Sequence, residues 1–371
     1  MGSAFNLGKV FGIPFRLHYS WFIVFILITV SLSWYYFPVY YPDWSRLAYW
    51  VIGLVSSLLF FASVVAHELA HSLVARVNGI PVKNITLFVF GGIAQITKEA
   101  TKASAELKMA VAGPACSLAL GMLFGLLWLL SRGISGPVMA MASWLAQVNV
   151  VLAVFNLIPG FPLDGGRVFR SIMWRVTGNY KLSTRVATQV GRGVGYLFIA
   201  GGILMMFRAW FSGLWLVFIG WFLAKTASAS YQQSQWREAL RGVNASQVMI
   251  PDCPLIPSNF TISQLVQEYV FTRGCSLFLI TDEEGVKGIL TLNDIKAVAQ
   301  QNWEMTPVGE IMTPVERVKV THPDQDALSI LEEMDENDIN QMPVVSEGRV
   351  IGLITRDNLM RFLRIHSELG A

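Results

Sequence analysis

Six apolar runs, each near the length that crosses a bilayer, occupy most of residues 19–230, and they decide what the chain can fold into. A span through the hydrocarbon core needs about 20 predominantly apolar residues. The runs fall at about 21–37, 48–77, 107–130, 137–158, 191–207 and 213–231. Charged residues make up only 14% of the chain and hydrophobic ones 53%, whereas a soluble domain carries about 25% charged residues. The shortage is uneven, because the stretch after Ala239 reads as ordinary soluble protein. The expected fold class is a polytopic α-helical membrane protein of about six transmembrane helices, residues 1–235. A soluble module, residues 236–371, follows it. The first twenty residues lack the order of a cleaved signal peptide and read as an amphipathic lead-in to the first span.

Lys and Arg are distributed asymmetrically about the runs. Lys9 and Arg16 precede the first, and Lys83, Lys98, Lys102 and Lys108 lie around the second connection. Arg167, Arg170, Arg175, Lys181, Arg185 and Arg192 lie around the fourth, and Lys225, Arg237 and Arg241 mark the end of the sixth. The alternate connections hold little: Arg46, Arg132 and Arg208. Cytoplasmic loops carry the excess of basic residues, so both termini and the soluble module are expected in the cytoplasm, with the chain multi-pass in a plasma membrane. The net charge of +3 is small and the basic residues form no stripe, so no nucleic-acid partner is expected. Cys116, Cys253 and Cys275 show no C-x-x-C spacing, which argues against disulfides and a cysteine metal site.

The second run contains A-H-E-L-A-H, with His67, Glu68 and His71. Residues four apart share a helix face, so both imidazoles can reach one ion, and Glu68 can take a proton from a water beside it. Inside an apolar span ionisable residues are costly and mark function, and three within five positions are hard to explain as packing. A catalytic zinc takes imidazole and carboxylate ligands and keeps a position open. The third ligand is expected from N-L-I-P-G-F-P-L-D-G-G, residues 156–166, which ends the fourth run. There Asp164 sits among prolines and glycines that break the helix, a backbone tolerated at membrane depth only where it lines an enclosed or wet cavity. Runs two and four cross in the same direction, so His67, His71 and Asp164 can meet near the cytoplasmic face. His18, alone at an interface, reads as an anchor or cap, and Trp34, Tyr35, Tyr36, Tyr40 and Tyr41 fit an interfacial aromatic belt.

Together these two motifs resemble the site-2 protease family of intramembrane zinc proteases over about residues 10–230. The resemblance extends to Phe90-Gly91-Gly92 after the metal-binding span and Ala112-Gly113-Pro114 before the next. It implies Zn2+ held by His67, His71 and Asp164, Glu68 as general base, and Asn156 as a candidate for positioning the substrate or polarising its carbonyl. It also implies a membrane protein substrate, a transmembrane or membrane-associated helix cut within or near the bilayer. The run Ile85-Thr86-Leu87-Phe88-Val89-Phe90 suggests an extended segment whose edge pairs with unwound substrate, or else a surface hairpin that only supports the core.

After about Val243 the chain repeats itself with an offset of about 64 residues, over about 243–300 and 308–366. Val248-Met249 aligns with Ile311-Met312, and Gly288-Ile289-Leu290-Thr291 with Gly352-Leu353-Ile354-Thr355. The units resemble a pair of CBS domains, giving an α/β tandem. That resemblance implies ATP or another adenine nucleotide on Thr291, Asp294 and Thr355, or a homodimer formed through the pair. The second repeat has Asn358 where the first has Asp294, which weakens the second cleft as a ribose site. A transporter gated by CBS domains, or an inactive scaffold, is the alternative. Transport predicts ionisable residues spread over several spans, and here they concentrate at zinc-ligand spacing.

Overall fold

The computed structural model describes residues 4–369, apart from 90, 97–99, 132, 134–135, 252–253, 273–276, 284, 315–316, 338 and 348. Phe90, Lys98, Arg132, Cys253 and Cys275, which are named above, lie outside the described residues. The chain divides into two compact units, 1–234 and 235–371.

The first unit opens with strands β1 (Ala4–Val10) and β2 (Ile13–His18), followed by helix α1 (Ser20–Tyr40) and the long α2 (Arg46–Val77). A hairpin of β3 (Val82–Phe88) and β4 (Gly91–Ile96) leads to α3 (Ala103–Ser131) and α4 (Gly136–Asn156). A shorter α5 (Asp164–Thr177) precedes α6 (Tyr180–Met206) and α7 (Trp210–Leu240). Among the described residues six helices, all but α5, are long and apolar enough to cross a membrane.

These helices are packed inside out relative to a soluble bundle. Along α2 the buried stripe is mostly small and polar: Gly53, Ser56, Ser57, Ser63, His67, His71, Ser72 and Ala75. Along α3 it includes Glu106, Ala110, Gly113, Ser117 and Gly121, while Leu123, Leu126 and Leu130 face outward. Lipid tails are as apolar as leucine, so helices associate through small residues that let backbones approach. Gly195 of α6 abuts the Gly220 carbonyl of α7, and Gly202 abuts that of Gly213. A side chain at any of these positions would push the two helices apart.

Two expectations are corrected. Residues 4–18 of the lead-in form a β-hairpin, with Ile13, Phe15 and Leu17 buried in alternation, the period-two pattern of a strand. Its turn is Phe11-Gly12, both at positive φ. The fifth span is longer than its apolar run, because Asn179 caps α6 at Leu182 N and the helix starts at Tyr180. Lys181, Arg185 and Arg192 therefore lie on the first turns of a helix, and Arg167, Arg170 and Arg175 lie on α5, none of them in an open loop.

The four strands form one sheet in the order β1-β2-β3-β4, with β2 and β3 parallel and the outer pairs antiparallel. Ile13, Phe15 and Ile85 pack with Val65 and Leu69 of α2, so the sheet lies against the helix at the level of the H-E-L-A-H turn. Residues 85–88 of the β-branched run thus lie in β3, paired on both sides, and the edges of the sheet are β1 and β4.

In the second unit β5 (Leu255–Pro257), β6 (Leu277–Asp282), β7 (Gly285–Thr291) and β8 (Thr313–Pro314) make a sheet in that order, and β9 (Gln341–Ser346) pairs with β10 (Arg349–Thr355). The packing units are shifted against the sequence repeats. Ala245 and Val248, which open the first repeat, pack with Ile330, Met342, Ile354 and Leu359 of the second. Val308, which opens the second, packs with Ile256, Phe278 and Leu290 of the first. Glycine permits both exchanges: Met312 lies on Gly288 and Met249 on Gly352.

Candidate metal centre

Helix α2 brings His67 and His71 onto its buried face, and α5 begins at Asp164. The loop between α4 and α5 delivers Asp164 because glycines let it fold tightly. Gly165 lies on the carbonyls of Leu157 and Ile158, Gly166 on the Gly160–Phe161 peptide, and Gly191 of α6 on Phe161. Any side chain at these positions would collide with backbone, which cannot swing aside.

The three side chains converge. Asp164 Oδ2 lies 3.1 Å from His67 Nε2 and 3.1 Å from His71 Nε2, and the two nitrogens are 3.2 Å apart. A tetrahedral zinc with bonds of about 2.0–2.1 Å holds its ligand atoms about 3.3 Å apart, so the triangle has the size the ion needs. The opposite ring nitrogens face α3. His71 Nδ1 lies 2.7 Å from the Met109 carbonyl, and His67 Nδ1 lies 2.9 Å from Ser117 Oγ. A carbonyl only accepts, so His71 carries its proton on Nδ1, and a neutral ring then presents a bare lone pair at Nε2. Lone pairs of imidazole and carboxylate facing one another at this distance repel unless a proton or a metal cation lies among them. The donor set therefore fits zinc.

Gly113 makes this approach of α3 feasible, since a Cβ there would overlap Nε2 of both histidines. Glu68, next to His67, is partly buried, and its Cγ lies against Gly92 at the start of β4. Asn156 closes α4, partly buried, eight residues before Asp164. Met109, Gly113 and Ser117 escape sequence reasoning as site residues, although A-G-P marks the middle of that helix face.

Residues 55–141 and 132–202 match peptidase family M50, and residues 245–300 and 308–365 match the CBS domain. A Synechocystis protein named "Putative zinc metalloprotease sll0528" is 36% identical over 370 residues, which cover 98% of this chain and 96% of that one. The chain belongs to peptidase family M50, the site-2 proteases. A second relative, named "Putative zinc metalloprotease Rip3", from Mycobacterium tuberculosis, is 32% identical over 99% of this chain and 94% of its own. The solved site-2 protease of Methanocaldococcus jannaschii is 27% identical, covering 62% of this chain and 95% of that one with a TM-score of 0.43. The chain is thus an M50 zinc metalloprotease with membrane helices and two CBS domains.

In the CBS unit the sequence-expected nucleotide contacts all serve as helix caps. Asp294 Oδ2 accepts from Thr291 N and Thr291 Oγ1, both at 2.8 Å. Thr355 Oγ1 accepts from Asn358 N at 3.1 Å. The departure at Asn358 has a physical reason: its amide donates to the Val248 carbonyl, tying the exchanged opening segment to the second repeat. A carboxylate could not make that bond.

Proposed function

We propose that the chain is a zinc endopeptidase of the bilayer, cutting transmembrane or membrane-associated protein segments near the cytoplasmic face of a plasma membrane. In this reading both termini and the CBS pair lie in the cytoplasm. The observation that carries it is the triangle of His67 Nε2, His71 Nε2 and Asp164 Oδ2, with edges of 3.1, 3.1 and 3.2 Å, built from residues 97 and 93 positions apart.

His67, His71 and Asp164 would hold the zinc, which when bound lowers the pKa of a water and polarises a carbonyl. Glu68 takes a proton from the attacking water as its oxygen bonds to the carbonyl carbon, and then gives that proton to the amide nitrogen as the C–N bond breaks. Asn156 supplies an amide N–H to the carbonyl oxygen as negative charge develops there. The substrate must expose its backbone to be cut, and β4 offers a free edge that starts beside Glu68. Pairing along that edge would hold the substrate extended at the site. Chelation is expected to stop cleavage of a reporter transmembrane helix in vesicles, and added zinc to restore it. Cleavage that survives chelation, or ion transport by the metal-free protein, would overturn this reading.

Successive residues of β4 point their N–H groups to opposite sides, so of Ile93→Pro and Ala94→Pro one removes an outward donor. That variant is expected to cut about 5- to 10-fold more slowly with zinc unchanged, since one β-pairing hydrogen bond to a transition state is worth about 1–1.5 kcal/mol. Equal activity of both variants and the wild type would reject pairing at this edge.

The CBS pair reads adenine nucleotide through Thr291 and Asp294 of the first repeat, or joins two copies of the chain. Asp294→Ala is expected to abolish ATP binding measured by calorimetry. It also removes a helix cap, costing about 0.5–2 kcal/mol, so the titration is run well below the unfolding midpoint. Undiminished binding would exclude the first cleft.

A further inference from the structure

The membrane unit buries an ion pair outside the ligand triangle. Glu106, 1% exposed on the first turn of α3, accepts from Nε of Arg170 at 2.7 Å and also from its Nη2. We infer that Glu106 and Arg170 are positioning residues of the metal centre, setting Asp164 in register with the two histidines. The inference rests on the zinc reading above.

Helix α3 touches both halves of the ligand set. Met109 and Ser117, on its buried face, orient His71 and His67. Glu106, one turn before Met109 on the same face, grips the helix that begins with Asp164. Arg170 lies six residues after Asp164, so the grip acts on the same rigid segment. The guanidinium also lies over the ring of Phe161, 4.9 Å away, and over that of Tyr180, 4.8 Å away. Phe161 belongs to the loop that precedes Asp164 and Tyr180 begins α6. Arg170 thus pins the chain on both sides of the carboxylate ligand and references it to the helix that orients the imidazoles.

Stability alone explains this pair poorly. Taking two charges out of water costs free energy that their attraction repays only with good geometry, and apolar residues of similar volume generally serve a fold as well. Here Glu106 Oε2 is buried without a hydrogen-bond partner among the described residues. What the pair provides that an apolar contact lacks is direction, because a planar guanidinium engages a carboxylate only over a narrow range of angles. Registration of a ligand-bearing helix uses that property. Outer partners of metal ligands typically contribute about 10–100-fold in metal affinity.

The test uses full-length protein in detergent, as wild type, Glu106→Gln, and the double variant Glu106→Leu with Arg170→Leu. Zinc affinity is measured by competition with a chromophoric chelator, site geometry by the absorption bands of bound Co2+, and stability by thermal melting. The expected result is a double variant that melts close to the wild type yet binds zinc about 10-fold or more weakly, with altered Co2+ bands. Glu106→Gln keeps the side-chain shape, shows the same loss of affinity, and carries the test if the double variant does not fold. Wild-type affinity and Co2+ bands in the folded variants would reduce the pair to packing and overturn the inference. A wild type that binds neither metal would bring down the zinc reading itself, and this inference with it.

Discussion

Replacing Glu68 by Gln is expected to leave zinc content unchanged while lowering kcat on a transmembrane substrate by about 10²–10⁴, the usual worth of a positioned general base. Glutamine keeps the size of the side chain and its contact with Gly92, so the β4 strand stays seated. Glu68 is not among the three residues whose ligand atoms converge, so loss of its charge spares the metal. What disappears is the carboxylate that accepts the proton of the attacking water. A variant that retains zinc and still cuts at the wild-type rate would transfer the role of base to another group.

Gly113→Ala is expected to lower zinc affinity by at least about tenfold, the low end for disturbing the shell around metal ligands. The added methyl would overlap Nε2 of both His67 and His71. A ring that turns away to make room loses its bond to the Met109 carbonyl or to Ser117 Oγ, and with it the orientation of its lone pair. Gly125→Ala on the same helix is the control, because its Cβ meets nothing within 4 Å. Alanine there relieves a helix of glycine's entropic cost and should leave zinc binding as it was. Equal zinc affinity in the two variants would show that Gly113 of α3 does not lie against the histidines.

The sequence discloses its membrane helices and its ligand candidates for one shared reason. A charged or imidazole side chain in an apolar run has a large solvation cost, so His67, Glu68 and His71 stand out, and Asp164 stands out among helix breakers. The partners that orient those ligands give no such signal. The acceptor for His71 is a backbone carbonyl that any residue at 109 would supply, and Ser117 is one small residue among many. Arg170 reads only as a topology-setting base and Glu106 gives no signal, since only the packing of α3 on α5 buries them against each other. The opening hairpin was written in alternation at Ile13, Phe15 and Leu17, a period too short to be heard beside the long apolar run that follows. In the CBS unit the repeat was legible but not the exchange of its opening segments, because that exchange depends on which glycine lies under which methionine. Asn358 reads as a damaged nucleotide contact in the sequence and as a bond to the Val248 carbonyl in the fold.

The most direct test of the central claim is the zinc content of purified wild type and of Asp164→Ala, determined by plasma mass spectrometry after dialysis against a weak chelator. The wild type should hold about one zinc per chain, as a site of two imidazoles and one carboxylate requires, and the variant, left with two histidines, should lose nearly all of it. Zinc absent from the wild type, or retained in full by Asp164→Ala, would contradict a centre built from His67, His71 and Asp164.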